Sequence, residues 1–204
     1  MTGAYARVLK RALDLALAAA ALPVAAVVVA PAALAVRLED GGPVLHVSTR
    51  LGRDRAPFLM LKLRTMHTGA PDLRNPDGTT FSALDDPRTT RVGRLLRRTS
   101  IDELPQLLNV LAGQMSLVGP RPSPPDSQAS FRAADLRRYE VRPGITGLSQ
   151  VLLRNEGTLT QRLETDVRYV DELSLRLDLW VLGRTVTRVL GGRGVHRPGG
   201  AVHA

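Results

Sequence analysis

From Leu15 to Val36 the chain runs 22 residues without a charge, and any fold must either bury that surface or give it to lipid. As one straight helix the stretch reaches about 33 Å, enough to cover the hydrocarbon core of a bilayer. Three arrangements satisfy it. A secretory signal peptide would use Lys10-Arg11 as its basic start and Ala33-Leu34-Ala35 as a cleavage-like end. A single transmembrane crossing fits the length. A re-entrant helix-break-helix, entering and leaving by one face, fits two further features. Pro23 and Pro31 each remove a helix hydrogen bond and favour a kink or break. Arg7, Lys10 and Arg11 precede the stretch while Arg37, Arg50, Arg53 and Arg55 follow it, and basic flanks on both sides suit one cytoplasmic face better than two sides of a membrane. The hairpin, residues 1–40, is the expected arrangement.

The rest of the 204 residues suits one globular domain, 41–190, with a tail, 191–204, expected to be disordered. A formal charge of +9 points to anionic partners. Nucleic acid, anionic lipid and nucleotide phosphates all qualify, but aromatic residues at 3% leave little for a base-stacking surface. No cysteine is present, which excludes a disulfide framework, a thiolate nucleophile and Cys-ligated zinc.

The local pattern predicts an α/β but mainly helical domain. Val44 to Val47 and Phe58 to Arg64 read as short strands, and Gly69 to Ser82 as a mobile loop. Pro87 to Arg98 is an amphipathic helix: Val92, Leu95 and Leu96 form an apolar side and five arginines crowd the remainder, as in helices that lie on anionic lipid. Further helices are expected over Ile101 to Leu111, Phe131 to Tyr139, Leu159 to Leu173 and Leu177 to Leu190. Ser123 to Ser130 reads as a loop and Arg142 to Gly147 as a tight turn.

Asp102-Glu103 admits two readings. Ser100-Ile-Asp-Glu103 has the form of a capping box, with Ser100 at the N-cap and Glu103 reaching back to it. Alternatively, arginines on both sides would draw a phosphate-bearing ligand to this helix start. They would also keep a carboxylate ionised there, as a nucleophile toward phosphorus or a ligand for Mg²⁺. Arg121, held between Pro120 and Pro122, is pre-ordered for a phosphate. Arg142, beside Gly144 and Gly147, repeats the device, and Lys62, Arg64 and Thr65 form a third cluster. On the capping reading the chain is a non-catalytic basic adaptor for membrane or nucleic acid; on the other it is an enzyme.

Across nearly its whole length the chain resembles the bacterial sugar transferases, the monotopic polyprenyl-phosphate phosphoglycosyl transferases. The most specific matches are Ser100-Ile-Asp-Glu-Leu-Pro-Gln-Leu-Leu-Asn-Val-Leu111 and Gly113-Gln-Met-Ser-Leu-Val-Gly-Pro-Arg-Pro122. Others are Lys62-Leu-Arg-Thr-Met66, Arg142-Pro-Gly-Ile-Thr-Gly147 and Asp166-Val-Arg-Tyr-Val170.

The resemblance implies that a sugar 1-phosphate passes from a UDP-sugar to undecaprenyl phosphate, releasing UMP, with Mg²⁺ required, to start a glycoconjugate. It further implies Asp102 as nucleophile, forming an aspartyl phosphosugar, with Glu103 assisting it and the metal. Arg97 and Arg121, with Lys62, Arg64 and Thr65, would bind substrate phosphates; Arg142, Gly144, Gly147 and Asp166 would serve the nucleotide sugar. The implied setting is the cytoplasmic membrane with the catalytic domain on the cytoplasmic face and no nucleic-acid partner, a homodimer being compatible with the family. Three positions depart from the family pattern: Leu22 before Pro23 where Ser is common, Thr49 where Gln is usual, and Leu159 near the place of a Trp that follows the family's Arg-Asn pair, here Arg154-Asn155.

Overall fold

The apolar stretch forms part of one continuous helix, α1 (Lys10–Asp40), entered through a π-helical turn at Tyr5–Leu9. The computed structural model describes residues 5–71, 73, 86–153 and 157–190. Most of the expected loop at Gly69 to Ser82, the Arg154-Asn155 pair and the expected tail lie outside these residues.

Helix α1 departs from the expected helix-break-helix. Pro23 and Pro31 both lie inside it, and the helix continues through them. The reason is tertiary: the same body grips the helix on either side of each proline. Ala18, Leu22 and Ala25 pack against Phe58, Met60, Leu107, Val110 and Met115. Val29, Ala32, Ala33 and Val36 pack against Leu63 and Leu96. These positions recur every three or four residues, the spacing of one helix face. The ends are tied as well. Lys10 Nζ lies 2.7 Å from Asp178 Oδ2, Asp14 Oδ1 accepts from Leu117 N at 3.0 Å, and Asp40 pairs with Arg64. Leu17, Val24, Val27, Leu34 and Leu38 face outward. The helix thus touches the domain at several points from Lys10 to Asp40, yet only Lys10, Asp14, Ala18, Ala25 and Val36 are buried, and by length and composition it could cross a membrane.

Strands β1 (Leu45–Leu51) and β2 (Pro57–Leu63) follow as an antiparallel hairpin; β1 runs four residues past the expected Val47, and β2 lies one residue earlier than expected. Helix α2 (Arg91–Thr99) starts four residues later than expected, with Thr90 as its N-cap accepting from Gly93 N at 2.9 Å. Glu39, from the end of α1, accepts from Arg91 N at 2.7 Å and Val92 N at 3.2 Å, so its carboxylate complements this helix start. Leu96 is buried, Leu95 is exposed, and Arg91, Arg94 and Arg98 face outward. The expected helix from Ile101 to Leu111 is divided into a 3₁₀ turn, Ile101–Glu103, and helix α3 (Gln106–Leu111).

Two short strands were not anticipated as such. β3 (Ser116–Val118) and β4 (Gly144–Thr146) pair in parallel, joining the start of the Gly119–Pro122 loop to what sequence alone presented as a turn. Between them, Ala133–Glu140 is 3₁₀ rather than α. Helices α4 (Leu148–Leu153), α5 (Leu159–Asp171) and α6 (Leu175–Leu190) close the domain around Val118, Tyr169 and Val181. The described residues are thus mostly helical, and their sheet content is confined to two two-stranded pairs.

Candidate active site

The site forms where β2 meets the junction between α2 and α3. Along β2, Phe58 and Met60 face the core, and the two-residue period turns Lys62 the same way. Lysine 62 therefore points inward, against the general tendency of strand charges to face solvent. At the junction Ser100 adopts the left-handed conformation, φ 58°, unusual for a residue with a Cβ. It ends α2 abruptly and starts the 3₁₀ turn that delivers Asp102 and Glu103 to Lys62. Ser100 makes no side-chain cap bond, so the capping box is not formed. The Glu103 carboxylate goes instead to Lys62 Nζ at 2.6 Å and Arg121 Nη2 at 3.0 Å. Its neighbour Asp102, 7% exposed, lies 3.9 Å from Lys62.

The two adjacent carboxyls are driven apart. Burial raises Asp102 to about 6, the Lys62 charge opposing it and the Glu103 charge adding to it. Burial also acts on Glu103, but Lys62 and Arg121 together outweigh it and hold this group at about 2. The result is one firmly ionised acid and one desolvated carboxylate that is ionised at neutral pH yet poorly stabilised. That is a suitable state for a nucleophile. His46, opposite Lys62 in the hairpin, registers the same field: burial, Arg50, Lys62 and Arg97 all push its pKa below the ordinary value.

Arginine 97 reaches in from the last turn of α2. Its Nε donates to Thr65 Oγ1 at 2.9 Å, while Nη1 is buried with no hydrogen-bond partner among the described residues. A buried guanidinium N–H without an acceptor costs free energy, so this donor is available to an incoming anion. Thr65 thus acts by orienting Arg97. Arg64 is committed elsewhere. It forks onto both oxygens of Asp40, and also donates to Pro43 O, Met66 O and Thr68 Oγ1. It clamps the end of α1, and this geometry offers a substrate phosphate none of those donors.

Arg121, 49% exposed, stands at the mouth. Its loop is seated on the Arg142–Gly147 segment by close backbone contact: a Cβ on Gly144 would stand 2.1 Å from Gly119 N, and one on Gly147 would stand 2.2 Å from Gly119 O. Gly144 N donates to Pro120 O, and Gly119 N to Thr146 O, both at 2.9 Å. Arg142 Nε donates to Gly113 O at 2.8 Å. Gly144 and Gly147 are thereby explained by packing, and they reach the site through the loop they support. Asp166 is buried on the far side of that loop. Its Oδ2 pairs with Arg138 at 2.8 Å and its Oδ1 accepts from Ser149 Oγ at 2.7 Å. Arg138 in turn donates to Arg121 O at 2.7 Å and to Ser123 Oγ.

Among the described residues no cluster of three or more carboxylate or imidazole ligands exists. Asp102 and Glu103 nevertheless fit Mg²⁺, which commonly takes one or two carboxylates and fills its sphere with water and substrate phosphate. Sequence reasoning passed over Arg138, His46 and Asn109. Asn109 accepts from Leu61 N at 3.0 Å and donates to Leu59 O at 2.7 Å, fastening α3 to the strand that carries Lys62. Its only prior signal is a polar residue on the apolar side of a helix.

A family model described as bacterial sugar transferase matches residues 5–192. A Caulobacter vibrioides protein named UDP-glucose:undecaprenyl-phosphate glucose-1-phosphate transferase is 48% identical over 191 residues, covering 89% of this chain and 69% of that protein. The uncharacterized sugar transferase EpsL of Bacillus subtilis is 43% identical, over 93% of this chain and 91% of its own length. An Escherichia coli protein with the same name as the Caulobacter one is 40% identical over 88% of this chain, which spans only 40% of that longer relative.

Proposed function

The chain belongs to the bacterial sugar transferases, and on that premise we propose that it is a phosphoglycosyl transferase moving a sugar 1-phosphate from a UDP-sugar to undecaprenyl phosphate. An Asp102 carboxylate oxygen attacks the β-phosphorus of the UDP-sugar. The bond from that phosphorus to the bridging oxygen breaks, and UMP leaves with the electron pair, which gives an aspartyl phosphosugar. An oxygen of undecaprenyl phosphate then attacks the same phosphorus and displaces Asp102, forming the lipid diphosphate sugar that starts an exopolysaccharide or other glycoconjugate.

The observation that carries this reading is the separation of Asp102 from Glu103. A capping pair would have turned Glu103 toward Ser100, whereas here Lys62 and Arg121 hold it and leave Asp102 buried and less stabilised. Arg97 Nη1 and the half-exposed Arg121 supply cations for a crowd of phosphate oxygens. Glu103 keeps Lys62 in place beside the nucleophile. Asp102 and Glu103 would hold Mg²⁺ together with the diphosphate; its charge, when bound, neutralises phosphate oxygens and favours departure of UMP.

The outward apolar face of α1 rests in the cytoplasmic leaflet without crossing it. Both basic flanks and the catalytic domain then stay on the cytoplasmic face, in accord with the helix's contact with the domain along its length. UDP-glucose, the donor in the names of two relatives, is the first to test.

The experiment is UMP release from a panel of UDP-sugars by detergent-extracted protein with Mg²⁺ and undecaprenyl phosphate, run beside Asp102→Asn. Turnover in the wild type and its loss in a folded Asp102→Asn is the expected result. Comparable turnover in the variant would falsify the covalent mechanism.

A further inference from the structure

We infer that the buried Arg138–Asp166 pair is a positioning device for Arg121, fixing the backbone from which that side chain reaches Glu103. The inference rests on the transferase reading above. Arg138 is 6% exposed and Asp166 2%, and neither hydrogen-bonds or ion-pairs with Asp102 or Glu103 among the described residues. What they contact is the loop. One guanidinium nitrogen, Nη2, is shared between Arg121 O at 2.7 Å and Asp166 Oδ2 at 2.8 Å, while Nη1 donates to Ser123 Oγ. The guanidinium lies 5.5 Å from the Phe131 ring centroid and 5.6 Å from that of Tyr139, and Ser149 orients Asp166 from behind.

The loop needs such a partner. Pro120 and Pro122 restrict φ on either side of Arg121, but they do not fix where the peptide lies, and Pro122 has no N–H to anchor it. Backbone bonds hold the loop on either side, Gly144 N to Pro120 O and Leu51 N to Ser123 O, both at 2.9 Å, and the carbonyl of Arg121 between them is held by Arg138. A planar guanidinium can donate to that carbonyl, a serine hydroxyl and a carboxylate together; lysine cannot present the same fork. A well-packed apolar pair in this place is often as stabilising as a buried ion pair, so stability alone does not account for the choice. Loop geometry does.

The test is a double-mutant cycle on kcat/KM for the UDP-sugar. The probe change is Arg138→Gln with Asp166→Asn, which leaves no lone buried charge, made in the wild type and in Arg121→Ala. In the wild type it is expected to lower kcat/KM on the order of 100-fold, the scale of a misplaced binding group. In Arg121→Ala it is expected to add less than about threefold, because the group being positioned is gone. Equal losses in both backgrounds would mean a general brace for the fold and would overturn the inference. If the paired variant does not fold, Ser123→Ala takes its place in the same cycle. It removes one acceptor, with an expected loss of about fivefold in the wild type, the worth of one net hydrogen bond, and none in Arg121→Ala. Absence of turnover in the wild type sinks the transferase reading and this inference together, whereas equal losses sink the inference alone.

Discussion

Replacing Lys62 with methionine should move the acid limb of the pH–rate profile upward. On the proposed mechanism Asp102 must be ionised to attack, so kcat/KM should fall as pH drops through its pKa, which burial raises to about 6. Lys62 is what restrains that rise. Its ammonium lies 3.9 Å from Asp102 Oδ2, and both side chains are largely shielded from solvent. At an effective dielectric constant near 20, a charge pair at this distance is worth about 4 kcal/mol, equivalent to about three pK units. Glu103, 2.6 Å from the same ammonium, also loses that partner and becomes easier to protonate, which relieves Asp102 of part of its like charge, so the expected displacement is about one to three units. At pH 7 at least about half of the variant would be protonated and slow, and raising the pH should restore part of its rate. Glu103→Gln provides the opposite sign, since it removes a like charge that raises Asp102; its limb should move down. The assay is kcat/KM for the UDP-sugar from pH 5 to 9, with folding followed at each pH. A Lys62→Met limb that stays in place or moves down, or two limbs that move together, would refute the electrostatic account of the site.

Two further outcomes test the architecture. Ser100→Gly should raise thermal stability by up to about 1 kcal/mol, because a left-handed residue loses its Cβ penalty and no cap bond is sacrificed; a clear loss would mean the hydroxyl does cap the turn. Ala18→Leu should destabilise by about 1–3 kcal/mol through overpacking against the α3 and β2 core, while Val27→Leu on the outward face should be near neutral. Thermal unfolding in one detergent compares them, and equal tolerance at both positions would argue against α1 lying along the domain.

The features that identify this chain were legible from local pattern: the apolar stretch, the Asp-Glu pair among arginines, the proline-flanked Arg121. What stayed hidden was partner choice across distance. The tetrapeptide Ser100 to Glu103 has the spacing of a cap, and nothing nearby says that Lys62, 41 positions earlier, will take Glu103 instead. Lys62 and Arg64 look alike in sequence, yet one meets the carboxylate pair and the other grips α1. That assignment depends on what packs at each point along the chain: Lys62 meets the α2–α3 junction, while Arg64, just past the end of β2, meets the end of α1. Pro23 and Pro31 argued for a break by local rules, and the packing on either side of them prevailed. Arg138 drew no notice because its function lies entirely in the three elements it joins.

The clamp of Arg64 on Asp40 has a consequence for a reaction between two phases. Lys62 and Arg64 are two residues apart, a span of about 7 Å along an extended chain. Asp102, the proposed nucleophile, is thereby held at a set height above α1. With α1 in the leaflet as proposed, a lipid phosphate confined to the headgroup layer arrives at a height already matched to Asp102. A soluble nucleotide is indifferent to that height. Changes in the depth or the tilt of α1 in the leaflet should then slow the lipid-accepting half of the cycle and leave the nucleotide half untouched.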